Sequence, residues 1–442
     1  MPIDKQKLKT YFNALGVQKP VDYGDATERK KYVEGLHGDR NVVDALFNAI
    51  DLQDGQGVFL FSGQRGSGKS TELKRLKYLL ETDPTIDCKV FYLDMQEWLN
   101  PARPVELGSF VVAVAAAWVH QAKTTDAQLS PAQRFWDFLK NTQIDISGLN
   151  LGVGSGDVKA DLQISLHTDE SFLQEIAKLT QKHKTRFIGQ AKEFISQLAH
   201  DLCGDKSKCV LLIDQLEKIN GNGSNTEEVL TSVLNLFANN SDALQLPLVH
   251  AVYSIPPYVL EQNKNLAAVL GATATVQLPS VHVFKRESSD ADPVYVARVV
   301  DLVARRCPDW REFFSLAQLQ TLVLETGGDL RDLLRALQNC LLKISDATPQ
   351  VNDEALDFAR SQVRPTLVIP IEHMVWMARI DGSHRSETNE QYSALLLEKY
   401  LTTKHVLAYL NGQTWYGLNP LIRQEVLSQA AQYVKAQDDS AA

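Results

Sequence analysis

The sequence predicts an α/β protein: a parallel sheet, then a helical region, then a C-terminal winged-helix unit. Three observations carry this expectation. Apolar strand-like runs alternate with helical stretches as far as about residue 288, the pattern of a parallel sheet with crossover helices. Strand signals then nearly vanish, and "DPVYVARVVDLVARR", "SLAQLQTLVLET" and "DLRDLLRALQNCLLKIS" read as three successive helices. Near the end, "HVLAYLNGQTWYGLNP" joins an apolar run to a Trp/Tyr run through Asn-Gly, a hairpin signal.

The elements follow in order. Residues 1 to about 50 form a helical leading segment, with Val42, Val43, Leu46, Phe47 and Ile50 at helical spacing. "GVFLFS" is a first strand, and "CKVFYLDMQEW" is a second with a polar tip. "LGSFVVAVAAAWV" (Leu107 to Val119) is too short to span a bilayer and reads as a buried helix. "QIDISGLNLGVGSGDVKADLQISLHT" alternates around a Gly/Ser turn and predicts a β-hairpin. A long amphipathic helical stretch follows it, "DESFLQEIAKLTQKHKTRFIGQAKEFISQLAHDL". The strand "CVLLID", a helix over about 226–239, and the strands in "LPLVHAVYSIPPYV" and "ATVQLPSVHVF" complete the sheet. These divisions predict a leading segment at 1–50 and a core at 51–288 with an insertion over about 125–200. A helical lid at 289–350 and a winged-helix-like domain at 351–442 follow.

Bulk composition narrows the class. A chain of 442 residues allows about two to four domains. The five cysteines (Cys88, Cys203, Cys209, Cys307 and Cys340) contain no CxxC pair, and the odd count speaks against a secreted disulfide scaffold. The start "MPIDKQKLKTYF" lacks the apolar core of a signal peptide. A reduced, cytoplasmic, non-membrane setting is therefore expected. The net charge of −9 gives no overall footprint for nucleic acid.

The chemistry lies in four short stretches. "GQRGSGKS" matches GxxxxGK[ST] from Gly63 to Ser70, between a strand and a helix. Its backbone N–H groups (Gly63, Gln64, Arg65, Gly66, Ser67, Gly68, Lys69, Ser70 and Thr71) suit a phosphate cradle at the positive end of a helix. This predicts ATP as ligand: Lys69 would bridge the β- and γ-phosphates, Ser70 would ligate Mg²⁺, and Thr71 would support the α-phosphate. Asp214 ends the apolar run 210–213 and is the expected second Mg²⁺ residue, acting mostly through water. Gln215 follows it where hydrolysing relatives usually carry an acid, and an amide is no general base. A turn beginning at Asp214 would point Glu217 the same way, as the acid that orients the attacking water. Ser254 ends the strand in "HAVYSIPP", facing the γ-phosphate position. In "TGGDLRDLLRAL", Arg331 lies in the first turn of a helix and could reach the phosphates from a lid, with Arg335 behind it.

Taken in order, "GQRGSGKS", "VLLIDQLEK", "VYSIPP" and "GGDLRDLLRAL" before a winged helix resemble AAA+ ATPases of the origin-recognition type and the related STAND signalling ATPases. The fold so implied is a P-loop NTPase sheet with a helical lid. "GLHGDRNVVDAL" looks like their leading box, with Gly38 and Arg40 matching loosely. The resemblance implies a Walker B acid at Asp214, a γ-phosphate sensor at Ser254, a lid arginine at Arg331 and a displaced second acid at Glu217. It implies slow rather than motor-like turnover. Arg305 and Arg306 are candidates for a finger acting in trans if the protein assembles into an oligomer. The predicted hairpin insertion and the style of the P-loop also resemble bacterial STAND-like ATPases of conflict and anti-phage defence systems. That implies a nucleotide switch acting through a separate effector or through self-association. A DNA-binding, replication-initiator-like role is the alternative, although the tail cations Lys399, Lys404, His405, Arg423 and Lys435 are few and scattered. A small-molecule kinase would share the loop, yet needs neither lid nor winged helix.

Overall fold

The structure, a computed structural model, describes residues 4–16, 20–38, 42–121, 135, 137–139, 163, 165–278, 280–286 and 288–441. The chain divides into two compact units, one of residues 42–62 and 72–277, the other of residues 1–41, 63–71 and 278–442.

The first unit is built on a parallel sheet of β1 (Gly57–Ser62), β2 (Cys88–Asp94), β3 (Lys208–Asp214), β4 (His250–Ile255) and β5 (Ala272–Gln277). Their spatial order is β2-β3-β4-β1-β5. The inner strands β3 and β4 are buried at every residue, which explains their continuous apolar runs. The edge strand β5 alternates in burial, as a strand wetted on one face does. Parallel registry sets Asp94 opposite Asp214 and Ser254 opposite Phe61, so the polar strand tips gather at one sheet edge. The helix Leu107–Gln121 is buried from Gly108 through Trp118, as its composition predicts. A Cβ at Gly108 would stand 2.2 Å from Thr180 Oγ1, so glycine is what lets the helix Glu170–Lys182 approach.

Two expectations need correction here. Most of the predicted hairpin lies outside the described residues, but its last part, Gln163 and residues 165–168, is helical. Leu166 is buried there and the His167 carbonyl accepts from the Asn100 amide, so packing overrides a locally alternating pattern. The cysteines are not all reduced either. Cys203 and Cys209 form a disulfide, because the turn from helix Lys184–Cys203 into β3 sets their Cα atoms 5.8 Å apart. Among the described residues no helix is long and apolar enough to cross a membrane.

The second unit packs the helices Pro293–Arg306, Leu316–Glu325, Leu330–Leu341 and Asp353–Val363 around one apolar core. Tyr11 and Leu15, in and just after the leading helix Lys5–Ala14, join that core beside Trp310, Leu333 and Leu337. Ser315 opens its helix with a full capping box, and Asp329 caps the helix Leu330–Leu341. The C-terminal part is a winged helix: helices Ile371–Ser383 and Ala394–Thr402, the antiparallel hairpin β6 (Val406–Asn411) and β7 (Gln413–Leu418), and helix Pro420–Ala441. The hairpin turns at Gly412, whose φ of 93° suits glycine. Val406 and Ala408 point into the winged-helix core, while Leu407 and Tyr409 on the other face of β6 pack with Trp415 and Phe284. Both faces of β6 are therefore buried, which accounts for its unbroken apolar run.

Candidate nucleotide site

The loop 63–71 leaves β1 and enters the helix Lys69–Thr82. Gly66 (φ 88°) and Gly68 (φ 98°) turn the backbone through conformations that a Cβ disfavours. Lys69 is almost wholly buried, and its Nζ donates to the carbonyls of Gly63 at 2.7 Å and Gln64 at 3.0 Å. The loop thus curls around its own lysine. Ser67 Oγ is buried and makes no hydrogen bond within the protein. Ser70 is half-buried in the first helical turn, and Thr71 Oγ1 accepts from the backbone N–H of Val21 at 3.2 Å. Positive-φ glycines, a buried lysine and a donor hydroxyl at a helix N-terminus fit a polyphosphate.

Lid and winged helix meet this loop within the same unit. A Cβ at Gly66 would stand 3.5 Å from the Asp329 carboxylate and 3.6 Å from Cβ of Arg331. The chain thereby brings Arg331 beside the loop, at the start of the helix that Asp329 caps. On the leading side, a Cβ at Gly68 would stand 3.5 Å from His37 Nε2. Gly38 has a φ of 126°, while Arg40 lies outside the described residues. Sequence reasoning missed the main contact, which is Lys404. Its Nζ donates to the Arg65 carbonyl at 3.0 Å and forms an ion pair with Asp329. Burial would raise the Asp329 carboxyl, but the Lys404 charge and hydrogen bond outweigh it and hold the group below the usual range. Asp332, in the first turn of the helix, is pushed up to about 6 by burial and by the charge of Asp329. Arg335 stands 3.7 Å from Asp332 and so is turned to its own helix. Arg305 pairs with Asp301 and donates to the Tyr32 carbonyl at 2.7 Å. Arg306 is half-buried, with its pKa lowered by burial.

The sheet edge collects the acids. Asp214 is fully buried; it accepts from the Tyr92 hydroxyl at 2.5 Å and from the Gln215 N–H at 2.7 Å. Gln215 has a left-handed backbone (φ 73°), so the short 3-10 turn begins at Leu216 and not at Asp214 as the sequence suggested. That turn brings Glu217 to Ser254, whose Oγ donates to Glu217 Oε2 at 3.2 Å. Two residues placed separately in the sequence are thus one hydrogen-bonded pair. Asp94, at the tip of β2, accepts the Gln215 side-chain amide at 2.8 Å. Burial and then the Asp214 charge raise the Asp94 carboxyl, against the lowering effect of the Gln96 N–H between them in size. A second-strand acid was visible in the sequence only as a polar tip. The Ser70 hydroxyl in one unit and the Asp214 carboxylate in the other are each oxygen donors, the ligand type that Mg²⁺ prefers. No cluster of three or more His, Cys, Asp or Glu placed for a metal occurs among the described residues.

No protein-family model matches the sequence, and no curated protein matches it significantly. Among solved structures the chain is similar to the ORC2 protein of Aeropyrum pernix in its ADPNP–ADP complexes, at 10% identity and a TM-score of 0.41, over 92% of this chain and 96% of that one. It is similar to Cdc6p of Pyrobaculum aerophilum at 11% identity and a TM-score of 0.39, over 96% and 98% of the two chains. The Walker-type ATPase paby2304 of Pyrococcus abyssi matches at 12% identity and a TM-score of 0.40, over 89% and 96%. Likenesses this distant carry no functional weight, which rests on the residues themselves.

Proposed function

We propose that this chain binds ATP with Mg²⁺, hydrolyses it slowly, and uses nucleotide state to control the docking of its lid and winged helix. In this reading the loop 63–71 receives the phosphates, with Lys69 bridging the β- and γ-phosphates. Ser70 and Asp214 hold Mg²⁺. Ser254 and Glu217 attend the γ-phosphate and the water, and Arg331 reaches the phosphates from the lid at 289–350. One observation carries the switch: Lys404 of the winged helix holds both the P-loop backbone at Arg65 and the lid cap Asp329. A shift of the loop backbone on phosphate binding must alter that contact, giving a two-state element that a ligand can bias.

The output would pass to a separate effector protein or to self-association, as the style of the P-loop, similar to that of bacterial defence ATPases, implies. The duplex-binding alternative gains less support. The second face of the β6–β7 hairpin is buried beside Phe284, and Lys404 is engaged within the unit. Binding to duplex DNA that weakens steeply with salt would restore it.

The test compares nucleotide-free, ADP and ATP–Mg²⁺ samples by limited proteolysis of the winged helix, sizing and phosphate release. ATP is expected to change the cleavage pattern. Lys69→Ala should weaken ATP binding on the order of a hundredfold or more, since it removes a buried charge-assisted contact. ATP binding equal in wild type and Lys69→Ala would sink the reading.

A further inference from the structure

We propose that the first unit holds a separate ligand site, for an aliphatic diamine or polyamine, in a cavity rimmed by Glu106, Glu170 and Glu228. The site lies wholly within residues 72–277 and is independent of the nucleotide reading.

The cavity measures about 400 Å³, a size that suits a small molecule. Its lining comes from the loop 99–106 and from helices Leu107–Gln121, Glu170–Lys182 and Thr226–Asn239. The loop is pinned on both sides. The Pro101 carbonyl accepts from the N–H groups of Asn220 at 3.1 Å and Gly221 at 3.0 Å, and the Ala102 carbonyl from the Asn225 side-chain amide at 2.8 Å. The Val105 N–H donates to Ser232 Oγ at 2.8 Å, and the Asn100 side-chain amide donates to the His167 carbonyl at 2.9 Å. The wall is therefore set before a ligand arrives, which lowers the ordering cost of binding.

The lining has two characters. Its buried members Leu99, Val105 and Leu166 make an apolar floor, extended by half-buried Leu173 and Ala177. Ser109 lies in that floor at 8% exposure, and its hydroxyl makes no hydrogen bond among the described residues. It is an acceptor offered to whatever enters. The exposed members form the rim. Glu170 pairs with Arg103 at 3.1 Å, while the Glu106 and Glu228 carboxylates have no ion pair or hydrogen bond among the described residues. Three carboxylates thus face one guanidinium, leaving two in excess.

A negative rim over an apolar floor selects a cation that carries its own apolar body. A bare metal ion does not fit. No group of three or more His, Cys, Asp or Glu is placed for one among the described residues, and an apolar floor cannot replace its water. An anion meets the excess carboxylates. An aliphatic amine satisfies each part: methylenes cover the floor, ammonium groups meet Glu106 and Glu228, and one N–H donates to Ser109 Oγ.

Calorimetric titration of the full chain with hexamethylenediamine and with trimethylenediamine tests this. Both carry two charges near neutral pH and differ in apolar length. The longer amine should bind at least about tenfold more tightly, since each buried methylene adds to affinity. Glu106→Gln together with Glu228→Gln should weaken its binding roughly tenfold, the combined effect of two exposed charge contacts. Both positions are exposed, so the variant keeps its fold. Ser109→Ala should weaken binding about threefold. Arg103→Ala frees Glu170 and removes a like charge, and should tighten binding about twofold. Equal affinity for the two amines is the mark of loose counterion attraction and overturns the proposal. Unaltered binding in the double glutamine variant, or no binding of either amine to the wild type, overturns it as well.

Discussion

Gln215 and Lys404 are both non-glycine residues with left-handed backbones, at φ 73° and 62°, one in each compact unit. Each is held by an aspartate at the tip of a neighbouring element: Asp94 at the end of β2, Asp329 at the cap of a helix. They differ in what is left over. Lys404 pairs its charge with Asp329 and also bonds a carbonyl, an arrangement that locks elements together. Gln215 is neutral, and tethering its nitrogen leaves an oxygen that still seeks a donor. The same strained backbone thus serves a clasp in one unit and leaves an unpaired acceptor in the other.

Breaking the clasp should have the larger effect on stability. Lys404→Ala leaves Asp329 buried without its cation and should destabilise the second unit by about 3 kcal/mol in chemical denaturation. Adding Asp329→Asn should recover part of that loss, giving a coupling energy in a double-mutant cycle; simple additivity would show that the pair is not the clasp. Gly327→Ala attacks the same junction from the lid. Its Cβ would stand 2.3 Å from Leu407 and 2.8 Å from the Tyr409 hydroxyl, on a backbone of φ 61°. A loss of about 2 kcal/mol and faster proteolysis of the hairpin are expected. The smallest effect concerns charge. Asp332 titrates near 6 in the fold against an ordinary 3.8, so the folded chain holds its proton more tightly than the unfolded one. Stability associated with this group is therefore greatest at low pH and is lost as pH rises from 3.8 through about 6. Asp332→Asn should raise the melting temperature at pH 8 and leave it nearly unchanged at pH 4; a gain of equal size at both would exclude the buried charge as its cause.

Much of the frame was legible because it is local. Strand and helix periodicity located β1, β3, β4 and the lid helices, and the loop 63–71 announces its chemistry by residue type alone. What the sequence hid depends on distant pairing. Asp94 and Gln215 are 121 residues apart, and Lys404 lies 339 residues from Arg65. Nothing within "DQLE" shows that the glutamine reaches sideways to a neighbouring strand, since that follows from sheet registry. Lys404 looked like one more exposed tail cation, because its own neighbours do not reveal the lid turn it meets. The final stretch of the predicted hairpin failed for a related reason, as burial of Leu166 decided for helix against the alternating pattern.

The two-sided burial of β6 has a consequence for how the chain matures. A winged helix produced alone would turn Leu407, Tyr409 and Trp415 toward water, an adhesive apolar patch of the kind that drives aggregation. During synthesis the lid turn at Gly327 leaves the ribosome about 80 residues before Leu407, at roughly 5–20 residues per second. The surface that shelters the hairpin is therefore made before the hairpin itself, and a chain cut between the two would leave that lid surface uncovered in the first piece and the hairpin's apolar face uncovered in the second.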